Sequence, residues 1–157
     1  MSVGGAVGRS AESVRHSLDK VLDDAMKIVV DKNFCVKCHI VGDYDPGGSV
    51  RAKAPDLAEV HSRLRPDYLK QWIGNPKMIL PYTAMPVNIP YEPGVPQGKA
   101  PASVFVGNSE QQVQGLVDLL MNFDQYSKGK NPIAPLVPAT PPTGAEGAPA
   151  AATDASN

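Results

Sequence analysis

The pentapeptide Cys35-Val36-Lys37-Cys38-His39 constrains this chain more than any other feature. It holds both of the cysteines in the sequence, so all thiol chemistry is confined to one turn of backbone. Two thiols alone allow a disulfide, a redox dithiol or half of a metal site. The histidine directly after the second thiol narrows the choice. Structural zinc wants four protein ligands, but there is no further cysteine, and the other histidines, His16 and His61, follow no zinc spacing. A thioredoxin-like pair expects a βαβ context, and no strand pattern precedes Cys35.

A Cys-x-x-Cys-His run at the end of a helix is instead the sequence sign of covalent haem c attachment. The two thiols add to two vinyl groups on neighbouring pyrrole rings. Two intervening residues let the backbone curl so that both sulfurs reach that edge, and His39 then falls beneath the iron as an axial ligand. Met85, in Thr83-Ala84-Met85-Pro86, is the candidate for the second axial position. Its soft thioether suits reduced iron and raises the potential relative to a second histidine. The rival is Met78, just after the second helix, whose alternative role is to fill core space. His16 and His61 are outside alternatives, because a lone histidine is usually a surface residue.

At 157 residues the chain has room for one domain plus tails. Apolar residues make up 42% and aromatics 6%, a small core for this length unless a large apolar cofactor helps fill it. The formal net charge of -1 gives no sign of nucleic acid or of an anionic membrane surface as partner. No apolar stretch approaches the ~20 residues needed to cross a bilayer. The start, Met1 to Ser10, lacks the apolar region of a signal peptide. Haem c is normally attached outside the cytoplasm. The expectation is therefore a removed leader, or a domain cut from a longer exported or membrane-anchored chain, working in the periplasm or at the extracytoplasmic face of the membrane.

Residues 1–16 are Gly-rich and read as a flexible lead-in. Residues 129–157, dominated by Pro, Ala, Gly and Thr towards the end, read as a disordered or extended tail. Residues 17–128 are the expected domain. Three helices are predicted within it. The first runs from about Ser17, as N-cap, to Asn33, with Leu18, Val21, Leu22, Ala25 and Val29 as its apolar stripe. The second runs from Pro66 to Ile73, with Leu69, Trp72 and Ile73 inward and Gly74 as the stop. The third runs from about Glu110 to Tyr126, opened by a Ser109/Gln112 capping box. Gly115 inside it costs roughly 1 kcal/mol against alanine, which a close helix approach would explain. From Pro76 to Pro101 the prolines forbid any ordinary element.

Taken in order, these pieces resemble class I c-type cytochromes, including the single-haem domains of bacterial respiratory complexes, over about residues 18–127. The matching pieces are a helix ending in Cys35-Val36-Lys37-Cys38-His39; Ala54-Pro55-Asp56-Leu57; Arg63 through Pro76; and Thr83-Ala84-Met85-Pro86 followed by a last helix. The resemblance implies an all-α cytochrome c fold: three main helices, with long irregular loops wrapped around one haem c. It implies that the Pro55 carbonyl accepts a hydrogen bond from His39 and that Leu57 packs on the haem face. It places Arg63, Tyr68 and Trp72 at the propionates or the haem edge. Val87 to Val106 is a departure, with more loop than a compact family member needs.

The function expected is electron transfer by a covalently bound, His39/Met85-ligated haem, not enzymatic turnover. The chain would serve as a free carrier or as a relay domain or subunit of a membrane-bound respiratory or photosynthetic complex. Its partners would be redox proteins docked weakly at the haem edge, near a basic rim of Lys32, Lys37, Arg51 and Lys53. The alternative is a haem c enzyme or small-ligand sensor with an open axial position. A third reading, compatible with the first, is a haem domain that tethers a larger assembly through its Pro/Ala tail.

Overall fold

A computed structural model describes residues 5–47, 53–129 and 132–139, with the side chains of residues 5–14 and 16 left aside. Arg51, residues 1–4 of the lead-in, residues 140–157 of the tail and the His16 side chain lie outside what is described. The chain is helical, as expected. Among the described residues, extended pairing is limited to two isolated bridges, His39 with Ala54 and Val41 with Tyr44.

The first helix, α1, spans Gly5–Val30 and therefore starts well before Ser17. The expected lead-in is helical from Gly5, and Ser17 is an interior residue, not an N-cap. The glycines misled the composition argument: glycine lowers helix propensity by about 1 kcal/mol per residue but does not forbid a helix that continues from a packed segment. The buried face of α1 is Leu22, Ala25, Met26, Ile28, Val29 and Val30. Leu18, placed on that stripe by periodicity, is 49% exposed, so the buried face begins further along the helix.

Short helix α2 (Val60–Arg63) leads to α3 (Pro66–Gly74). Pro66 opens α3, where its missing N–H costs nothing, and Arg65 before it is extended, as a residue before proline prefers. The same rule cuts α3 from α4 (Pro76–Ile79): Pro76 forces Asn75 out of the helical region, to φ -158° and ψ 75°. Leu69 and Ile73 are buried, and Trp72 is half-buried.

The last long helix is split. Helix α5 spans Ser109–Met121, Asn122 breaks it at φ -113° and ψ 19°, and α6 covers Phe123–Ser127. Its N-cap is Asn108, whose side chain accepts from the Gln111 N–H while Gln111 returns a bond to the cap. The capping box thus sits one residue before the Ser109/Gln112 pair. Both pairs satisfy the motif, and packing decides between them: Gln112 is fully buried and bonded elsewhere.

Helix α5 is the hub of the core. α1 packs along it and α3 packs against it. At Gly115 a Cβ would come within 2.7 Å of Phe105 Cε2 and 3.3 Å of Val21 Cγ1. The glycine therefore admits a loop phenylalanine first and helix α1 second. The proline-rich segment before α5 is no passive insertion either, since it buries Ile89, Ala100 and Phe105.

Candidate functional site

Helix α1 is released into the cysteine motif by Asp31, whose carboxylate takes the Asn33 N–H at 2.8 Å. A single 3₁₀ turn, Cys35–Lys37, follows. Its organising atom is the Cys35 carbonyl oxygen, which accepts from both Cys38 N–H (3.2 Å) and His39 N–H (2.9 Å). Side chains three apart in a 3₁₀ turn lie nearly one above the other, so Cys35 and Cys38 share an edge. Val36 between them is buried and ties the turn to the core. The two thiols are not joined to each other. Burial pushes the Cys35 thiol up to about 12, so it rests as a neutral SH in apolar surroundings.

His39 is oriented by a second segment. Its Nδ1 donates to the Pro55 carbonyl oxygen at 2.7 Å, which places the ring proton there and leaves the Nε2 lone pair available. Burial holds the imidazole pKa below its usual value, against the opposing pull of the Pro55 bond and the Asp56 charge. The neutral, metal-binding form is therefore the resting one. Pro55 itself is fixed by backbone bonds on either side, Ala54 N–H to Cys38 O (3.0 Å) and Leu57 N–H to Ile40 O (2.9 Å). Asp56 locks the register, accepting from Gly42 N–H (3.1 Å) and from Ala58 N–H (2.9 Å) at the cap of the next turn. Sequence reasoning gave Asp56 no role, although an aspartate just before Leu57 is a capping signal.

The remaining candidates fall into one cluster and several separate places. Trp72 Nε1 donates to Met85 Sδ at 2.9 Å, and Tyr68 stacks on Trp72 with ring centroids 6.0 Å apart. Met85 is half-buried, and its N–H bonds Thr83 Oγ1 at 3.2 Å, which shapes the loop that presents it. Leu57 is buried within the core cluster. Arg63 is turned towards Glu59, an ion pair on its own helical segment. Met78 does not fill core space: it is 79% exposed. His61 is held between the Ala58 carbonyl (3.0 Å) and Asp124 (3.2 Å). Lys53 is bound by Asp45 at 2.7 Å and Lys32 is half-buried, so Lys37 is the one exposed member of the described rim lysines.

Among the described residues, no group of three or more His, Cys, Asp and Glu side chains could hold a metal ion. A half-buried thiol pair on one edge, an imidazole with Nε2 left over and a half-buried thioether together fit a covalently attached haem. With haem bound, that donor set would offer two thioether anchors and two soft or borderline axial atoms.

The sequence model of the cytochrome c family matches residues 24–124, more than half of the 157. No curated protein and no solved structure gives a match. The matched span contains the motif, the Pro55 segment, Met85 and α5. It leaves out the outer turns of α1 and everything after α6 begins.

Proposed function

This chain belongs to the cytochrome c family, and from that premise we propose that it is a single-haem electron carrier or relay domain whose iron is held by His39 and Met85. Family membership brings covalent haem c, haem-based electron transfer and redox partners. The observation that supports the ligand pair is the orientation of both donors. His39 is fixed through Nδ1 with Nε2 left over, and Met85 is held by Trp72 in a loop between α4 and α5.

Bound haem c supplies a one-electron ferric/ferrous couple. The protein's part is to keep that couple's surroundings constant. Cys35 and Cys38 would anchor the porphyrin edge, and Pro55 would hold the His39 ring in one orientation and strengthen it as a donor. Trp72 would hold the Met85 thioether, so that the ligand geometry changes little when the electron arrives. Leu57 and the buried α5 face would exclude water, which favours the less charged ferrous site. Because Lys53 is neutralised by Asp45, docking would rest on the exposed apolar haem edge more than on a ring of lysines. We place the domain on the extracytoplasmic side, where haem c is attached; a fusion reporter active on only one side of the membrane would test this.

Replacing Met85 tests the assignment. The Met85→Ala protein should lose the weak sulfur-to-ferric-iron charge-transfer band and acquire carbon monoxide binding that the parent lacks. A parent protein that already binds carbon monoxide, or a variant that keeps the band, would remove Met85 as ligand and favour an open-site sensor or enzyme.

A further inference from the structure

Beyond α6 the chain returns to the loop that carries His39. Ile133 is fully buried and Val137 nearly so, on either side of a short 3₁₀ turn, Ala134–Leu136. The Asp43 carboxylate accepts the Ile133 N–H at 2.6 Å and the Ala134 N–H at 3.3 Å. Gly42, next to it, sits at φ +58°, and a Cβ there would lie 3.7 Å from Ile133 Cγ1. The segment expected to start a disordered tail is, over residues 132–139, packed against the fold.

The loop from His39 to Tyr44 has little structure of its own beyond the Val41–Tyr44 bridge. It is gripped from inside by Asp56 and Leu57 and from outside by Ile133 and Ala134. We infer that residues 132–139 are a strap that positions His39, with Asp43 and Ile133 as positioning residues for the haem ligand. The inference rests on the reading of His39 as that ligand. Family membership does not imply it, since the strap lies outside residues 24–124. The physical basis is twofold. A carboxylate bonded to backbone N–H groups is a charge-assisted contact, and a fully buried isoleucine contributes apolar burial that the loop cannot supply itself. Together they raise the cost of local opening around the Pro55–His39 bond.

The test is hydrogen exchange by NMR on the full holoprotein in its ferrous, diamagnetic state. Asp43→Ala and Ile133→Ala should each speed exchange of the His39 ring N–H and of the Gly42, Ala54 and Leu57 amides roughly tenfold or more. Amides in α5, such as that of Val117, should change much less. Asp43→Asn keeps an acceptor oxygen and should fall between parent and alanine variant. Uniform acceleration at all sites would reduce the strap to global stabilisation and overturn the positioning role, and so would no acceleration in Asp43→Ala. A His39→Ala variant that keeps the parent's axial spectrum would count against His39 ligation alone, because the three amides report the strap whatever binds the iron.

Discussion

Replacing Gln112 by leucine should destabilise the holoprotein by about 2–4 kcal/mol. Gln112 is fully buried on α5, and its side chain is the peg on which the loop before α5 hangs. Its Oε1 accepts the Ala100 N–H at 3.0 Å; its Nε2 reaches the carbonyl oxygens of Ala100 (2.9 Å), Phe105 (3.2 Å) and Gly107 (3.2 Å). The carbonyls have second donors. Gln97 Nε2 bonds Ala100 O at 2.7 Å and Phe105 O at 2.8 Å, and Gly98 N–H bonds Gly107 O at 2.8 Å. Among the described residues the Ala100 N–H has Gln112 Oε1 as its acceptor and no second one, and Ala100 is itself fully buried. Leucine fills much the same volume, so the cavity term is small. What remains is one orphaned buried donor, about 1–3 kcal/mol, plus weakened bonds at three carbonyls. Guanidinium unfolding should show the loss as a lower midpoint at unchanged slope. The axial spectrum should not change, since Gln112 touches neither His39 nor Met85. Gln112→Glu should be no better, because a carboxylate there faces three carbonyl oxygens. A loss below about 1 kcal/mol in Gln112→Leu would refute the idea that this side chain holds the loop.

Gly115→Ala should lower stability by ~1 kcal/mol or more in thermal or denaturant melts, since overpacking against Phe105 typically costs more than the helix propensity gained; a stabilised variant would show that Phe105 moves freely. Asp24 is buried on α1, and although burial opposes ionisation, Lys20 and Lys27 together hold its carboxyl below the usual value. Its contribution to stability should be complete above its unfolded value, 3.8, and vanish as pH falls through the lower folded one. The difference in stability between parent and Asp24→Asn should therefore shrink below pH 3.8, and a pH-independent difference would contradict this. Trp72→Phe removes the donor to Met85 Sδ while keeping an aromatic ring beside Tyr68. It should broaden or shift the sulfur charge-transfer band without abolishing it, whereas an identical band would show that the bond does not persist with iron present.

What could be read from the sequence follows the range of the forces involved. Pro66 and Pro76 act through their own backbones and the residues before them, so α3 starts where the residues put it and ends one residue later than read, with Gly74 as its last helical residue and Asn75 as its cap. The cysteine motif is equally local, and one carbonyl, that of Cys35, organises it. The cap of α5 was misplaced by one residue because Asn108-Ser109-Glu110-Gln111-Gln112 satisfies two capping boxes, and only burial of Gln112 separates them. Leu18 has the right period but lies beyond the reach of the core, which no helical stripe can announce. Ile133 is the opposite case. Its surroundings, Asn-Pro before and Ala-Pro after, have the composition of a linker, and the partner that orders it, Asp43, is ninety residues away. The Trp72–Met85 contact is also non-local; the resemblance placed both residues near the haem without pairing them.

The most direct test of the central claim is the visible spectrum of the protein matured with haem c, recorded oxidised and reduced after a denaturing acid–organic extraction of a parallel sample. Colour that stays with the polypeptide, and is lost from a Cys35→Ala/Cys38→Ala double variant, together with a low-spin spectrum unmoved by carbon monoxide, is the predicted result. Haem that extracts freely, or no haem at all, would contradict covalent attachment at Cys35 and Cys38 and with it the account given of this chain.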